Sequence, residues 1–249
     1  MNARRKTTIG LAVVAGGALA LLSARGYVRL SRAAALARAS EPYRQQPSVQ
    51  PCARVLVAGD STAVGTGGSD AAASIAGRIG GAYPRARIVN MGADGARVGA
   101  VARQIEQAPA GSYDLLLIQA GGNDVIRFTS GAQLARDWQS ALAAATGRSA
   151  SVVVMPAGNV GTAPIFPPPL SWLLTWRARQ ASQLARSAAI AAGATLIDLF
   201  HERDDDPFLR DPARFYAADG LHPSDKGYAL WFEQLEQAGV LAPLAQRCG

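Results

Sequence analysis

Five short apolar runs, separated by stretches of helical periodicity, constrain this chain more than any other feature. They are ARVLVA (53–58), ARIVNM (86–91), YDLLLIQ (113–119), SVVVMP (151–156) and ATLIDLF (194–200). Runs that stay apolar on successive residues suit strands buried on both faces, as in a parallel sheet covered by helices. The intervening patterns predict helices over about 70–82, 96–108, 131–147, 172–192 and 224–238. Strand and helix alternating five times predict a three-layer α/β/α sandwich with a five-stranded parallel sheet and right-handed crossovers.

In open parallel sheets, ligands bind beyond the carboxyl ends of the strands. The residues that follow each run therefore belong together. They are Gly59-Asp60-Ser61, then Gly92 to Gly95, then Gly121-Gly122-Asn123-Asp124, then Ala157-Gly158-Asn159. Four strand ends that carry small and polar residues make one crowded polar edge, which a purely structural sheet does not require.

The stretch VLVAGDSTAVGTGG (55–68) admits two readings, a phosphate cradle or a nucleophile. A P-loop needs G-x-x-x-x-G-K-[ST], but here the glycine gap is wrong and no lysine follows. G-x-G-x-x-G is absent after this run, and the G-x-S-x-G elbow fails because Ala63 occupies its last position. A serine hydroxyl becomes a nucleophile when an oriented imidazole takes its proton. The chain has two histidines. His222 lies three residues after Asp219 in AADGLHPSDKGYALW, close enough for the carboxylate to set its tautomer. The plainer alternative for His222 is a turn residue before a helix capped by Ser224. His201, in FHERDDD, reads as a surface residue among charges.

Taken in order, GDS, NMGADG, GGND and DGLH resemble the four blocks of the SGNH/GDSL hydrolase family, over about residues 53–238. The resemblance implies a flavodoxin-like fold and ester hydrolysis through an acyl-enzyme, with no metal or organic cofactor. It makes Ser61 the nucleophile, with Asp219 and His222 as its supporting pair. The oxyanion hole would combine the backbone N–H of Ser61, that of Gly95 and the side-chain amide of Asn123. The family spacing between the block-two Asn and Gly selects Gly95 over Gly92. Thr62 stands where the family has leucine, a position that supplies no reacting atom. Asp60 and Asp124 are expected to brace their loops by accepting backbone N–H bonds.

The formal net charge of +7 would suggest a nucleic-acid partner if it lay on the domain. It does not. Residues 1–50 hold eight basic residues against Glu41 alone, whereas residues 51–249 hold 17 basic and 17 acidic residues. No nucleic-acid partner is expected. The uncharged run of 18 residues from Thr7 to Ala24 reads as a membrane anchor or a signal segment (1–24). The anchor is favoured, because the A-x-A site at Ala18–Ala20 sits inside the apolar run. Residues 25–51 read as a short helix and a linker, and 52–249 as the hydrolase domain. Cys52 and Cys248 bracket that domain. A disulfide between them would staple its ends and place it outside the cytoplasm, periplasmic or extracellular. The alternative is two unrelated thiols. A monomer is expected.

The segment AGNVGTAPIFPPPLSWLLTWRARQ (157–180) is stiffened by proline and rich in apolar residues. Following the fourth run, it should border the site as a wall for an acyl chain or present a surface that meets lipid, with Phe166, Leu170 and Trp172 as candidate substrate contacts. It reads equally as a loop leading into a helix whose tryptophans form a core stripe. A small-molecule or lipid ester, including an acylated envelope glycan, is the expected substrate. An O-acyltransferase on the same fold and an inactive envelope-binding domain are the alternatives.

Overall fold

The computed structural model describes residues 28 and 31–249 of the chain. The five strands are β1 (Arg54–Gly59), β2 (Arg87–Asn90), β3 (Leu115–Ala120), β4 (Val152–Pro156) and β5 (Thr195–Leu196), all parallel in the order β2-β1-β3-β4-β5. Side-chain alternation splits each strand between two cores. Val55, Val57, Leu115, Leu117, Val153 and Met155 face one side, and Leu56, Ala58, Leu116, Ile118, Val152 and Val154 face the other. The first core is closed by Ile75 and Ile79 of α2 (Ile75–Ala82) and by Tyr228, Trp231 and Leu235 of α9 (Asp225–Gln237). The second is closed by α3 (Val98–Gln107), α5 (Gly131–Thr146) and the last turns of α6 (Leu170–Ala191). Burial on both faces is why the strands are apolar throughout instead of alternating.

Strand order 2-1-3-4-5 puts the topological switch between β1 and β3, where successive connections leave on opposite sides of the sheet and open a crevice. Two helices too short to show periodicity begin at that crevice. They are α1 (Ser61–Val64) after β1 and α4 (Gly122–Ile126) after β3. Two more, α7 (Pro207–Arg210) and α8 (Pro212–Phe215), lie between β5 and α9, each capped by an aspartate with proline in its first turn. The last helix is α10 (Ala242–Cys248).

The expected elements are present with local differences. The helix expected over 70–82 is interrupted at Ser74, which ends a short 3-10 turn and caps α2 by accepting from the Gly77 N–H at 3.0 Å. The strand expected over 194–200 pairs only at Thr195 and Leu196. Beyond it, Asp198 turns its carboxylate to Ser182 and Arg186 of α6 and to the Phe200 N–H. Within 25–51 the expected short helix spans 31–39, and the stretch expected as a linker docks on β2, where Gln45 and Ile88 exchange backbone hydrogen bonds at 3.1 and 2.9 Å. Cys52 and Cys248 form a disulfide, joining the residues before β1 to the end of α10. Among the described residues no helix is long and apolar enough to cross a membrane, and the Thr7–Ala24 run lies outside them.

Candidate active site

The carboxyl end of β1 is built to deliver Ser61. Gly59 has φ +146°, and a Cβ there would run into the Gln119 carbonyl of β3, so only glycine fits. Buried Gln104 on α3 clamps the same residue from the other side. Its Oε1 accepts from the Gly59 N–H at 2.7 Å and its Nε2 donates to the Gly59 carbonyl at 2.9 Å. Asp60 then caps α1, accepting from the Thr62 N–H and Oγ at 2.9 and 2.7 Å. Ser61 is thereby fixed as the first residue of a helix, beside the crevice.

The partner groups arrive on the loop after α8. An antiparallel bridge between Tyr216 and Pro223 closes this loop, and the Ala217 N–H bonds the His222 carbonyl at 2.8 Å. Inside it, Asp219 Oδ1 accepts from the N–H groups of Leu221 and His222, and Oδ2 lies 2.6 Å from His222 Nδ1. His222 Nε2 lies 3.0 Å from Ser61 Oγ. Gly67 backs the imidazole, since a Cβ there would press on the Pro223 carbonyl and His222 Cβ. Asp219 is fully buried. Burial pushes its carboxyl upward, but the hydrogen bond and charge of His222 and two backbone donors outweigh this and hold it below the ordinary carboxylate range. It is therefore ionised, with its charge directed at the imidazole.

Three donors stand at the same edge. Among the described residues, the N–H groups of Ser61 and Gly95 and the side-chain amide of Asn123 have no protein acceptor. The Gly92 N–H is committed to Asn90 Oδ1 at 2.9 Å, which leaves Gly95 as the glycine able to donate. The Gly95 turn is tied to α4 through Asp124, whose Oδ2 accepts from the Val98 N–H at 2.9 Å. Asp60 and Asp124 thus brace their loops as expected. Burial raises both carboxyls, Asp60 to about 6.

A cleft of about 690 Å3, measured out to its open mouth, begins at Ser61, Asn123 and His222. Its walls include Ile126, Val160, Leu199, Phe208, Leu221 and Trp231, with a polar group at Thr162, Asp206 and Tyr216. The 157–180 segment borders the site through its first residues, from Ala157 to Ala163, and not through the three expected contacts. Phe166 packs on a small separate cluster with Val125 and Leu174, while Leu170 and Trp172 are exposed. The buried stripe of α6 runs through Leu174, Ala178, Ala185 and Ala189, which turns Trp172 and Trp176 to the opposite side. These tryptophans form neither a cavity wall nor a core stripe. His201 is half-buried instead of a surface residue, with its carbonyl held by Asn159 Nδ2 at 3.0 Å.

Sequence reasoning missed Gln104 and the wall supplied by 199–216. Gln104 gives no signal, being a neutral amide inside a helix. The wall had one: the Asp-Pro pairs at 206–207 and 211–212 mark short capped helices.

Comparisons with known proteins agree with this architecture. The chain is similar to a member of the lipolytic protein G-D-S-L family from Veillonella parvula DSM 2008 (16% identity, 74% of this chain and 96% of that one, TM-score 0.58). It is also similar to the lipase/acylhydrolase from Enterococcus faecalis (21%, 76% and 95%, TM-score 0.54) and to TesA (22%, 77% and 99%, TM-score 0.57). At these identities the likeness is one of fold. No curated protein matches the sequence significantly. The profile of the GDSL-like Lipase/Acylhydrolase family matches residues 57–230, most of the chain and nearly all of the domain that carries the cleft. The chain belongs to that family, and it is a hydrolase of carboxylic esters.

Proposed function

We propose that the protein cleaves its ester through a covalent acyl-enzyme on Ser61, with His222 as general base and Asp219 fixing the imidazole. The observation that carries this is the continuous chain from Asp219 Oδ2 to His222 Nδ1 (2.6 Å) and from His222 Nε2 to Ser61 Oγ (3.0 Å). Asp219 accepts the Nδ1 proton, so Nε2 carries its lone pair toward the hydroxyl. Ser61 Oγ attacks the ester carbonyl as its proton passes to Nε2. Negative charge then collects on the carbonyl oxygen, where the N–H groups of Ser61 and Gly95 and the Asn123 amide are unoccupied donors. Collapse expels the alcohol, which takes the proton from His222. Water, deprotonated by the same imidazole, releases the acid and restores Ser61.

We further propose that the domain works outside the cytoplasm, held to a membrane by the Thr7–Ala24 run. The Cys52–Cys248 disulfide supports this, because such bonds persist in oxidising compartments.

The test is hydrolysis of p-nitrophenyl esters from acetate to long acyl chains by the full chain and by Ser61→Ala. Turnover that vanishes in folded Ser61→Ala supports the serine mechanism. Turnover that survives there overturns it. A fluorophosphonate probe that labels Ser61 without hydrolysis of any ester would shift the reading to acyl transfer to another acceptor.

A further inference from the structure

The cleft is apolar along most of its length, yet one wall carries three polar side chains bonded to one another. Thr162 Oγ1 lies 2.7 Å from the Asn159 carbonyl, 3.1 Å from Asp206 Oδ2 and 2.9 Å from the Tyr216 hydroxyl. Asp206 and Thr162 are nearly fully buried, and all three side chains line the cleft. Nothing in the Ser61 chemistry uses them.

Counting protons shows what this cluster lacks. Thr162 has one hydroxyl proton, and both the Asn159 carbonyl and Asp206 Oδ2 stand to accept it. The Tyr216 proton then fits Thr162 Oγ1. Burial raises the Tyr216 hydroxyl well above its ordinary range, so that proton is retained. Asp206 Oδ1 is satisfied by the Phe208 N–H at 2.8 Å. Asp206 Oδ2 therefore shares the single Thr162 proton with the Asn159 carbonyl, which leaves this carboxylate oxygen room for a second donor from the cleft. Burial raises the Asp206 carboxyl, against the hydrogen bonds from Phe208 and Thr162.

Resting on the ester-hydrolase reading, we propose that Asp206, Thr162 and Tyr216 form a subsite for a hydroxyl group carried by the part of the ester that enters the cleft. The substrate class is then a hydroxylated ester, either a hydroxyacyl ester or an ester of a polyol, and not one with a plain alkyl chain. The hydroxyl proton goes to Asp206 Oδ2, and its oxygen accepts from Tyr216 when that group rotates away from Thr162. A neutral hydroxyl suits the site better than an ammonium group, because Phe208, Leu199 and Trp231 beside it would strip a cation of water. A site built to bond a hydroxyl discriminates strongly against the analogue that lacks it, since its own buried groups are left unpaired.

The experiment measures kcat/KM of the full chain on two matched pairs. One pair is p-nitrophenyl 3-hydroxybutyrate against p-nitrophenyl butyrate, which places the hydroxyl on the acyl side. The other is glyceryl monobutyrate against propyl butyrate, which places it on the alcohol side. Wild type should favour the hydroxylated member of one pair by about tenfold or more, and which pair does so identifies the side that occupies the cleft. Asp206→Asn and Tyr216→Phe should each bring that ratio toward one. The ratio is read within each variant, so a general loss of activity cancels. Thermal unfolding of each variant shows that it is folded, and Tyr216→Phe serves as the milder change if Asp206→Asn fails to fold. Equal rates within both pairs in wild type overturn the subsite alone, as does a preference that persists undiminished in both variants. No hydrolysis of any of the four esters, with Ser61 unlabelled by a fluorophosphonate, overturns the hydrolase reading and the subsite with it.

Discussion

Asp219 holds His222 twice, through the backbone N–H at Oδ1 (3.1 Å) and through the ring at Oδ2 (2.6 Å). The first contact shapes the loop and the second orients the imidazole, so one buried carboxylate performs both tasks. Replacing it with asparagine separates them. In Asp219→Asn the amide oxygen at Oδ1 still accepts from the backbone, while the amide nitrogen now donates toward Nδ1. The ring must then carry its proton on Nε2, the wrong tautomer for taking one from Ser61. The expected result is a fall in kcat of about 10⁴ with KM little changed and the fold retained. Steady-state kinetics beside a thermal melt would check it. A loss below tenfold would show that Asp219 serves the loop only.

Among the described residues the Asn123 side chain has no hydrogen-bond partner, and it lines the same cleft as His222. Its removal should therefore cost the fold little and the transition state much. Asn123→Ala should lower kcat by about 10² to 10³, with the unfolding temperature close to wild type. An unchanged kcat would remove Asn123 from the oxyanion hole.

Gln104 touches no reacting group and acts through Gly59. Gln104→Leu leaves the Gly59 N–H without a partner in a buried place, at a cost of about 1–3 kcal/mol, and takes one of two donors from its carbonyl, which keeps the Ala93 N–H. Because Ser61 follows two residues later, kcat should fall while KM holds. Gln104→Glu keeps the acceptor for the Gly59 N–H and loses the donor to its carbonyl, so it should fall between wild type and leucine in both stability and kcat. Denaturant titration and kinetics of the three proteins give that order or refute it.

Asp60 predicts a pH dependence of stability. Its carboxyl is raised by burial from 3.8 to about 6 in the fold, so between those values the folded chain keeps a proton that the unfolded chain releases. Stability from this group therefore falls as pH rises from about 4 to about 6 and stays at the lower level above. The full effect is about 3 kcal/mol at most, from 1.36 kcal/mol per unit. Asp60→Asn keeps an acceptor for Thr62 and has no charge to bury. Its unfolding temperature relative to wild type should rise across that window and level off above it. Melts from pH 4 to 8 that run parallel for the two proteins would remove Asp60 as the source.

What the sequence disclosed follows from which interactions are local. The sheet was legible because burial on both faces leaves unbroken apolar runs, and Ser61 and Asn123 because each stands directly after such a run. Asp219 and His222 were legible because they are three residues apart. The partners of Gly59 and the cleft wall were not. Gln104 reaches Gly59 across 45 residues, and Thr162 reaches Asp206 across 44. Such pairings depend on how helices settle over the sheet, which no local pattern encodes. Phe166, Leu170 and Trp172 mislead for the opposite reason. Their hydrophobicity is a local property, while the direction each faces is set by the turn at which α6 begins.

The bond between Cys52 and Cys248 makes the domain a covalent ring with the first 51 residues as a tail. A protease that cuts the backbone once anywhere between those cysteines would open the ring without dividing it. Both fragments would remain one molecule of unchanged mass but for a water, and the strand that leads into Ser61 would stay joined to α10. The tail lies outside the ring, so one cut there severs the residues before it from the covalent ring and leaves the ring closed.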